Sequence, residues 1–385
     1  MDEPPEPRNK HLRNDGWMTV NGDVIFGDQF TTYAGGDGAG PLIPVRVPGE
    51  TDSSGGPGGW RGRWRGGADL EFGGESYLLH DRYLGEHPSR DGAAVHREAC
   101  ALRRAPEPDP ASAQRLRRGR SRRPREAPRY AWLRQVSVRE DTSAARRALA
   151  ALSGERDLLA DLSGVQGVPE PVWHESTPDG RTATLIVTWP ASEFAGLPCQ
   201  ALDRAVEPGE DLGAYAMSRL FSGLAGLCGT LAGLHGRGLA HRALTRPGVI
   251  MLDSGRLVLR DLGLAARRPE PGEGPPDHQA PEQRRGQPVP PGPATDAYQL
   301  AALVHHLLTG RLPARPVPPP LGRLVRGLPE RVGRAVDAAL APDPARRPDA
   351  RTLGAAFRAA RDDLSRGTYD VSSSPPPRPP HPRSQ

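Results

Sequence analysis

The residues of this chain best suited to chemistry crowd into positions 238–264, GLAHRALTRPGVIMLDSGRLVLRDLGL. Asp261 follows an apolar run and precedes Leu262 and Gly263, so its carboxylate stands where it could hold one cation. The loop before it, His241-Arg242-Ala243-Leu244, supplies little to go with that carboxylate. Ala243 accepts no proton, Thr245 carries no charge and Gly248 offers no side-chain ligand. No acidic residue lies between Ala243 and Asp253. The stretch therefore reads as one carboxylate with no second acidic group close to it in the chain before Asp253.

Several elements must position that stretch. Positions 249–252 and 257–259 read as short strands joined by the Asp253-Ser254-Gly255 turn. Upstream, 215–235 predicts a long helix. Met217, Leu220, Phe221, Leu224, Leu227, Cys228, Leu231 and Leu234 share one apolar face, and Gly236 and Gly238 end it. Positions 130–138 read as a strand and 144–162 as a helix with Leu149, Leu152, Leu158, Leu159 and Leu162 on one face. A strand about Val172-Trp173-His174, a strand over 183–187 and the connector Thr188-Trp189-Pro190 follow. Downstream come Ala280-Pro281-Glu282 and helices over 296–309, 330–340 and 350–364. Positions 69–104 are mixed, with strands expected over 70–72 and 76–79 and a helix over 93–102.

Composition limits how much of the chain folds. Of 385 residues 46 are glycine, 44 proline and 5% aromatic, and the Gly- and Pro-rich parts lie mainly at the ends. The expected organisation is a mostly disordered leader at 1–68, with a short Asn21-Gly22 hairpin at 18–28, a folded body at 69–366 and a disordered Pro-rich tail at 367–385. A disordered insert is expected at 103–129, holding Arg115, Arg117, Arg118, Arg120, Arg122, Arg123 and Arg125. Lys10 is the only lysine, so the net charge of +5 is carried almost wholly by arginine. Cys100, Cys199 and Cys228 have no metal-ligand spacing, no signal peptide opens the chain, and no apolar run approaches the ~18 residues of a membrane span. These features point to a soluble cytoplasmic protein with reduced thiols.

The order of loop, hairpin and Asp-x-Gly resembles the catalytic core of protein kinases, where H-R-D-L-x-x-x-N precedes D-F-G. Asp261-Leu262-Gly263, Ala280-Pro281-Glu282, Asp296-Ala297-Tyr298-Gln299-Leu300, Leu308-Thr309-Gly310-Arg311-Leu312-Pro313 and Arg346-Arg347-Pro348 stand in the order found in bacterial serine/threonine kinases of the eukaryotic type. The resemblance covers about 235 residues, 130–364. It implies an α+β, bilobal protein-kinase-like fold with a β-rich small lobe at 69–188 and a helical large lobe at 191–366. It implies structural roles for His241, Leu262, Asp296 and the pair Glu282 and Arg347. It places Arg134 where such kinases carry a lysine, with Glu155 as its partner, and Thr188 and Trp189 at the interlobe connection of a nucleotide site. Asp261 is then the one residue left to hold Mg²⁺.

Against that family the losses are Ala243 for the base, Thr245 for a lysine and Gly248 for the second metal ligand. No G-x-G-x-x-G lid precedes Tyr130, and Gly73 and Gly74 are the nearest substitutes. The segment 264–279 has no Ser, Thr or Tyr, so the phosphorylation that orders many activation loops has no acceptor there. The resemblance thus implies a pseudokinase that serves as a signalling scaffold or regulatory interaction module with protein partners, binding ATP and Mg²⁺ weakly or not at all. The first alternative is an active atypical serine/threonine kinase using Asp261 with one metal ion and Arg134 on the phosphates. The second is nucleic-acid association through the Arg-rich insert and the Trp60–Arg65 tract. No membrane association is expected.

Overall fold

The structure is a computed structural model that describes residues 17–20, 23–26, 64–89, 91–104, 129–194, 196–314 and 317–366. The arginine run of the insert, the Trp60–Arg63 part of the Arg/Trp tract and the Pro-rich tail lie outside the described residues. Strands β1 (Trp17–Val20) and β2 (Asp23–Phe26) pair antiparallel around Asn21-Gly22, the hairpin expected from that dipeptide.

The small lobe is one six-stranded antiparallel sheet. Its strands are β3 (Asp69–Phe72), β4 (Glu75–Pro88), β5 (Ala94–Arg104), β6 (Tyr130–Val138), β7 (Pro171–Ser176) and β8 (Thr182–Trp189), in the order β3-β4-β5-β6-β8-β7. Residues 93–102, expected as a helix, are strand β5, so that reading is corrected. Its run Ala-Val-His-Arg-Glu-Ala-Cys-Ala-Leu favours helix locally, but hydrogen bonding to β4 on one side and β6 on the other overrides the preference. Two residues expected in the disordered insert, Arg103 and Arg104, are strand instead. Arg103 and Arg104 end β5, and the Arg103 amide donates to the Arg129 carbonyl at 2.8 Å across the insert.

The sheet curls until its edges meet. A Cβ on Gly73, in the β3–β4 turn at φ +60°, would lie 2.9 Å from the Trp173 indole of β7. Inside the curl Leu70, Phe72, Leu79, Leu133 and Ile186 form a core of their own. The other face receives helix α1 (Ser143–Asp161), capped where the Ala145 amide donates to the Thr142 hydroxyl at 3.1 Å. Leu152, Glu155 and Leu159 of α1 are buried.

The large lobe is helical apart from a small sheet of β9 (Gln200–Ala201), β10 (Val249–Met251) and β11 (Leu257–Leu259), ordered β11-β10-β9. Its long helices are α2 (Ala214–His235), α3 (Pro293–Thr309), α4 (Glu330–Ala339) and α5 (Ala350–Ser365). The apolar stripe on α2 packs against α5 closely enough that a Cβ on Gly354 would lie 2.9 Å from the Cys228 Cβ, which makes Cys228 a core filler. The two lobes are joined around Gly167. Its carbonyl receives the Leu259 amide at 2.8 Å, and the neighbouring Gln166 carbonyl receives the Thr230 hydroxyl at 3.0 Å. That junction places the end of β11, and therefore Asp261, beneath the small lobe.

Glu282 and Arg347 meet as expected, in a bidentate pair at 2.7 and 2.8 Å, both 8% exposed or less. Arg347 also donates to the carbonyls of Ala294, Ala341 and Pro342 and lies over the Tyr298 ring. Removing one partner leaves a buried charge without compensation. Arg347→Ala is expected to lower the stability of the chain by roughly 3 to 5 kcal/mol, measured as a drop in the denaturant midpoint.

Candidate functional site

The loop 241–248 is held by its backbone. Asp296, fully buried in the first turn of α3, accepts the His241 amide at 2.8 Å, the Arg242 amide at 2.6 Å and a contact from His235 Nε2 at 2.8 Å. Arg242 is left-handed at φ 57°, the one non-glycine residue with positive φ among the described residues. Gln283 and Gln299 donate to its carbonyl at 2.8 and 3.0 Å, and Gln299 accepts the Leu244 amide at 3.0 Å. Backbone strain of this kind persists only where the surroundings enforce it. The loop is held in an enforced shape, yet the side chain it would present to a substrate is the methyl of Ala243.

Arg134, Glu155 and Asp261, far apart in the chain, come together above this loop. Glu155 of α1, 3% exposed, pairs with Arg134 of β6 at 2.5 Å and accepts the Leu262 amide at 3.0 Å. Asp261 accepts the Gly263 amide at 2.8 Å, and its carbonyl lies 3.1 Å from His241 Nε2. His241 and Leu262 are buried, and a Cβ on Gly263 would fall 2.6 Å from the His241 ring. This part of the loop therefore admits only glycine.

The residue that changes the character of the site is Arg260, which sequence reasoning passed over. Its Nε donates to Asp261 Oδ2 at 2.9 Å, its guanidinium lies 4.3 Å from the Trp132 ring centroid, and Glu98 stands 3.8 Å away. The carboxylate expected to hold a metal ion is thus engaged by an arginine. Burial would raise the Asp261 carboxyl, but the charges of Arg260 and Arg134 outweigh it and hold the group well below the usual carboxylate range. From Arg260 a chain of rings runs across the interlobe face. Trp132 lies 5.4 Å from Trp189, Trp189 lies 5.0 Å from Tyr83, and Arg204 caps Tyr83 at 5.1 Å. The available signals were a basic residue directly before Asp261 and a bulky ring two residues before Arg134.

The other expected site residues have the following partners. Trp189 is a buried member of that ring chain, its indole donating to the Cys199 carbonyl at 2.8 Å. Thr188 bonds instead with the Glu170 backbone, its hydroxyl accepting the Glu170 amide at 3.0 Å. Gly73 and Gly74 make no lid, because their turn is level with Arg104, at the end of the sheet away from residues that follow Arg134. The turn at the near end is Ser89–Ala93. There Asp91 accepts the Ala93 amide at 3.1 Å, Ser89 accepts the Ala94 amide at 2.8 Å, and Thr142 donates to Asp91 at 3.0 Å. Amides that a glycine-rich lid would turn to phosphates are used internally, beside a carboxylate.

The segment 264–279 is tied down without a phosphate. Arg242, 3% exposed, donates to Glu273 at 2.8 Å and to the carbonyls of Leu264 and Arg267. Glu273 also accepts the Glu270 amide at 2.9 Å, and its carbonyl receives Gln279 at 2.9 Å. A carboxylate built into the chain fills the role that an added phosphoryl group plays when it orders such a segment.

The curled sheet with its buried helix, the helical second lobe, and the chain's path between them through Arg134, Glu155 and Asp261 make this an α+β, bilobal protein of protein-kinase-like fold. No family model matches the chain, and no curated protein matches it. Among solved structures it is similar to a mutant of the Mycobacterium tuberculosis PknI kinase domain. That similarity has 19% identity and a TM-score of 0.45, covering 77% of this chain and 98% of the other.

Two outcomes follow from these contacts. Asp261 stabilises the fold above its unfolded pKa of about 3.9, and that contribution is lost as pH falls through its depressed folded value. Asp261→Asn is therefore expected to cost roughly 3 kcal/mol near pH 7, with the gap to the parent narrowing as denaturation is repeated toward pH 3. Glu273→Gln, which removes the charge facing Arg242, is expected to speed proteolytic cleavage within 264–279 severalfold while the circular dichroism of the chain stays unchanged.

Proposed function

We propose that this chain is a protein-kinase-like protein that does not transfer phosphate and that acts as an interaction module, its nucleotide cleft closed by its own side chains. The observation that carries the reading is the Arg260 guanidinium lying on Asp261 and against Trp132. Phosphoryl transfer depends on cations placed around the γ-phosphate and a base beside the acceptor hydroxyl. Here the metal-binding carboxylate is already neutralised, Gly248 has no ligand to add, and Ala243 has no proton acceptor. Mg²⁺ would have only Asp261 to hold it, and to do so it would have to displace Arg260.

A cytoplasmic setting belongs to the same reading. The three cysteines are free and buried, in keeping with a reducing compartment. Among the described residues no helix is long and apolar enough to cross a membrane.

One observation favours the active alternative: Arg134, Glu155 and Leu262 are already joined as they would need to be for catalysis. Thermal denaturation with ATP, in Mg²⁺ and in EDTA, together with transfer of labelled phosphate to a generic basic protein, separates the two. A ligand at a hundred times its Kd stabilises by ~2.7 kcal/mol, several degrees in midpoint. The expected result is a shift below about 1 °C in either buffer and no transfer. Arg260→Ala, which frees Asp261, is expected to gain an Mg²⁺-dependent shift. Turnover by the parent chain that disappears in Asp261→Ala would establish the active kinase instead.

A further inference from the structure

A second group of charged side chains lies where loop 241–248, the end of segment 264–279 and the last turn of α3 come together, and nothing in the cleft chemistry uses it. Arg246 Nη1, His278 Nε2 and His306 Nδ1 are each buried without a hydrogen-bond partner. His278 is 5% exposed, and its ring lies 5.8 Å from that of His306 at 31°. Arg246 is near enough for its charge to act on both rings. Among the described residues no ion pair engages Arg246. Buried polar atoms are nearly always satisfied, and three orphans in one cluster call for an occupant.

The local charges define the occupant. Burial, the neighbouring His306 and Arg246 push His278 down to about 4, with Asp277 opposing, and burial and Arg246 lower His306, again against Asp277. Asp277 is exposed at the rim. His305, next to His306 on α3, has its Nδ1 3.0 Å from the Arg311 carbonyl. Two imidazoles whose charged forms are disfavoured first by burial and further by Arg246, with unused nitrogens, gain protons and donors together once an anion arrives. A guanidinium fork suits the paired oxygens of a tetrahedral oxyanion.

We propose that Arg246, His278 and His306 form a binding site for a tetrahedral dianion, presented as the phosphorylated side chain of a protein partner. The three residues carry the dianion site. That the anion is borne by a protein rests on the interaction-module reading above. Arg246 and His306 are half-buried and His278 is buried, so an anion would reach the cluster past Arg246 and His306. Occupancy needs nothing from Asp261 or Arg260, so ATP binding in the cleft would leave this site standing.

The test uses the full chain and measures thermal midpoint and heat of binding. Sodium sulfate, dianionic throughout, is compared with sodium chloride at matched ionic strength at pH 6.0 and pH 7.5. A phosphoserine peptide is compared with its serine counterpart. Sulfate is expected to raise the midpoint beyond chloride, and more at pH 6.0, because anion binding draws protons onto the imidazoles. Arg246→Ala should weaken sulfate at least tenfold, Arg246→Lys should fall between it and the parent, and His306→Phe should flatten the pH dependence. The phosphopeptide should bind at least tenfold tighter than its unphosphorylated form. Equal shifts in sulfate and chloride, or undiminished sulfate binding in a folded Arg246→Lys or Arg246→Ala chain, would overturn the site. Sulfate binding with no preference for the phosphopeptide would overturn the partner and leave a free-ion site.

Discussion

One buried carboxylate holds the centre of this molecule. Asp296 gathers the amides of His241 and Arg242 and a ring nitrogen of His235, and in doing so forces Arg242 into left-handed backbone. The Arg242 side chain is thereby aimed at Glu273 and the carbonyls of segment 264–279, while its own carbonyl is taken by Gln283 and Gln299. The loop, the segment and α3 therefore share one hydrogen-bonded network. A buried carboxylate accepting several backbone amides is costly to disturb, which accounts for a loop kept in shape although its central side chain is only a methyl.

Above the loop, buried charges are paired within the chain. Arg134 and Arg260 face Glu155 and Asp261, with Glu98 at the edge. Two arginines serve three carboxylates there, Arg260 being shared between Asp261 and Glu98. Arginine's planar group also stacks on Trp132, which a compact ammonium would do less well. Both guanidiniums there are engaged by carboxylates of the chain itself. The lid position follows the same rule, because Asp91 and Ser89 take the amides of their own turn.

How much of this was legible in the linear sequence differs from element to element. The apolar stripe on α2, the strand at β6 and the helix α1 follow from side-chain periodicity, because each buries one continuous face. Arg134 with Glu155 and Glu282 with Arg347 were legible through motif order. Residues 93–102 were misread because alanine-rich composition speaks for helix, whereas two flanking strands demanded a third between them. Thr188 was placed at the nucleotide site by its position in a connector, but alternation along β8 turns its hydroxyl to the Glu170 backbone.

The sequence by itself determined what the site lacks. Ala243, Thr245, Gly248 and a body without lysine are facts of composition at fixed positions, and no folding can add a group the chain does not carry. Only the tertiary structure decided what fills the space. Arg260 against Trp132, the ring chain through Trp132, Trp189 and Tyr83, and the orphaned nitrogens of Arg246, His278 and His306 join residues tens to more than a hundred positions apart. Their pairing is set by strand register, helix crossing and burial, which act through space and leave no local pattern to read.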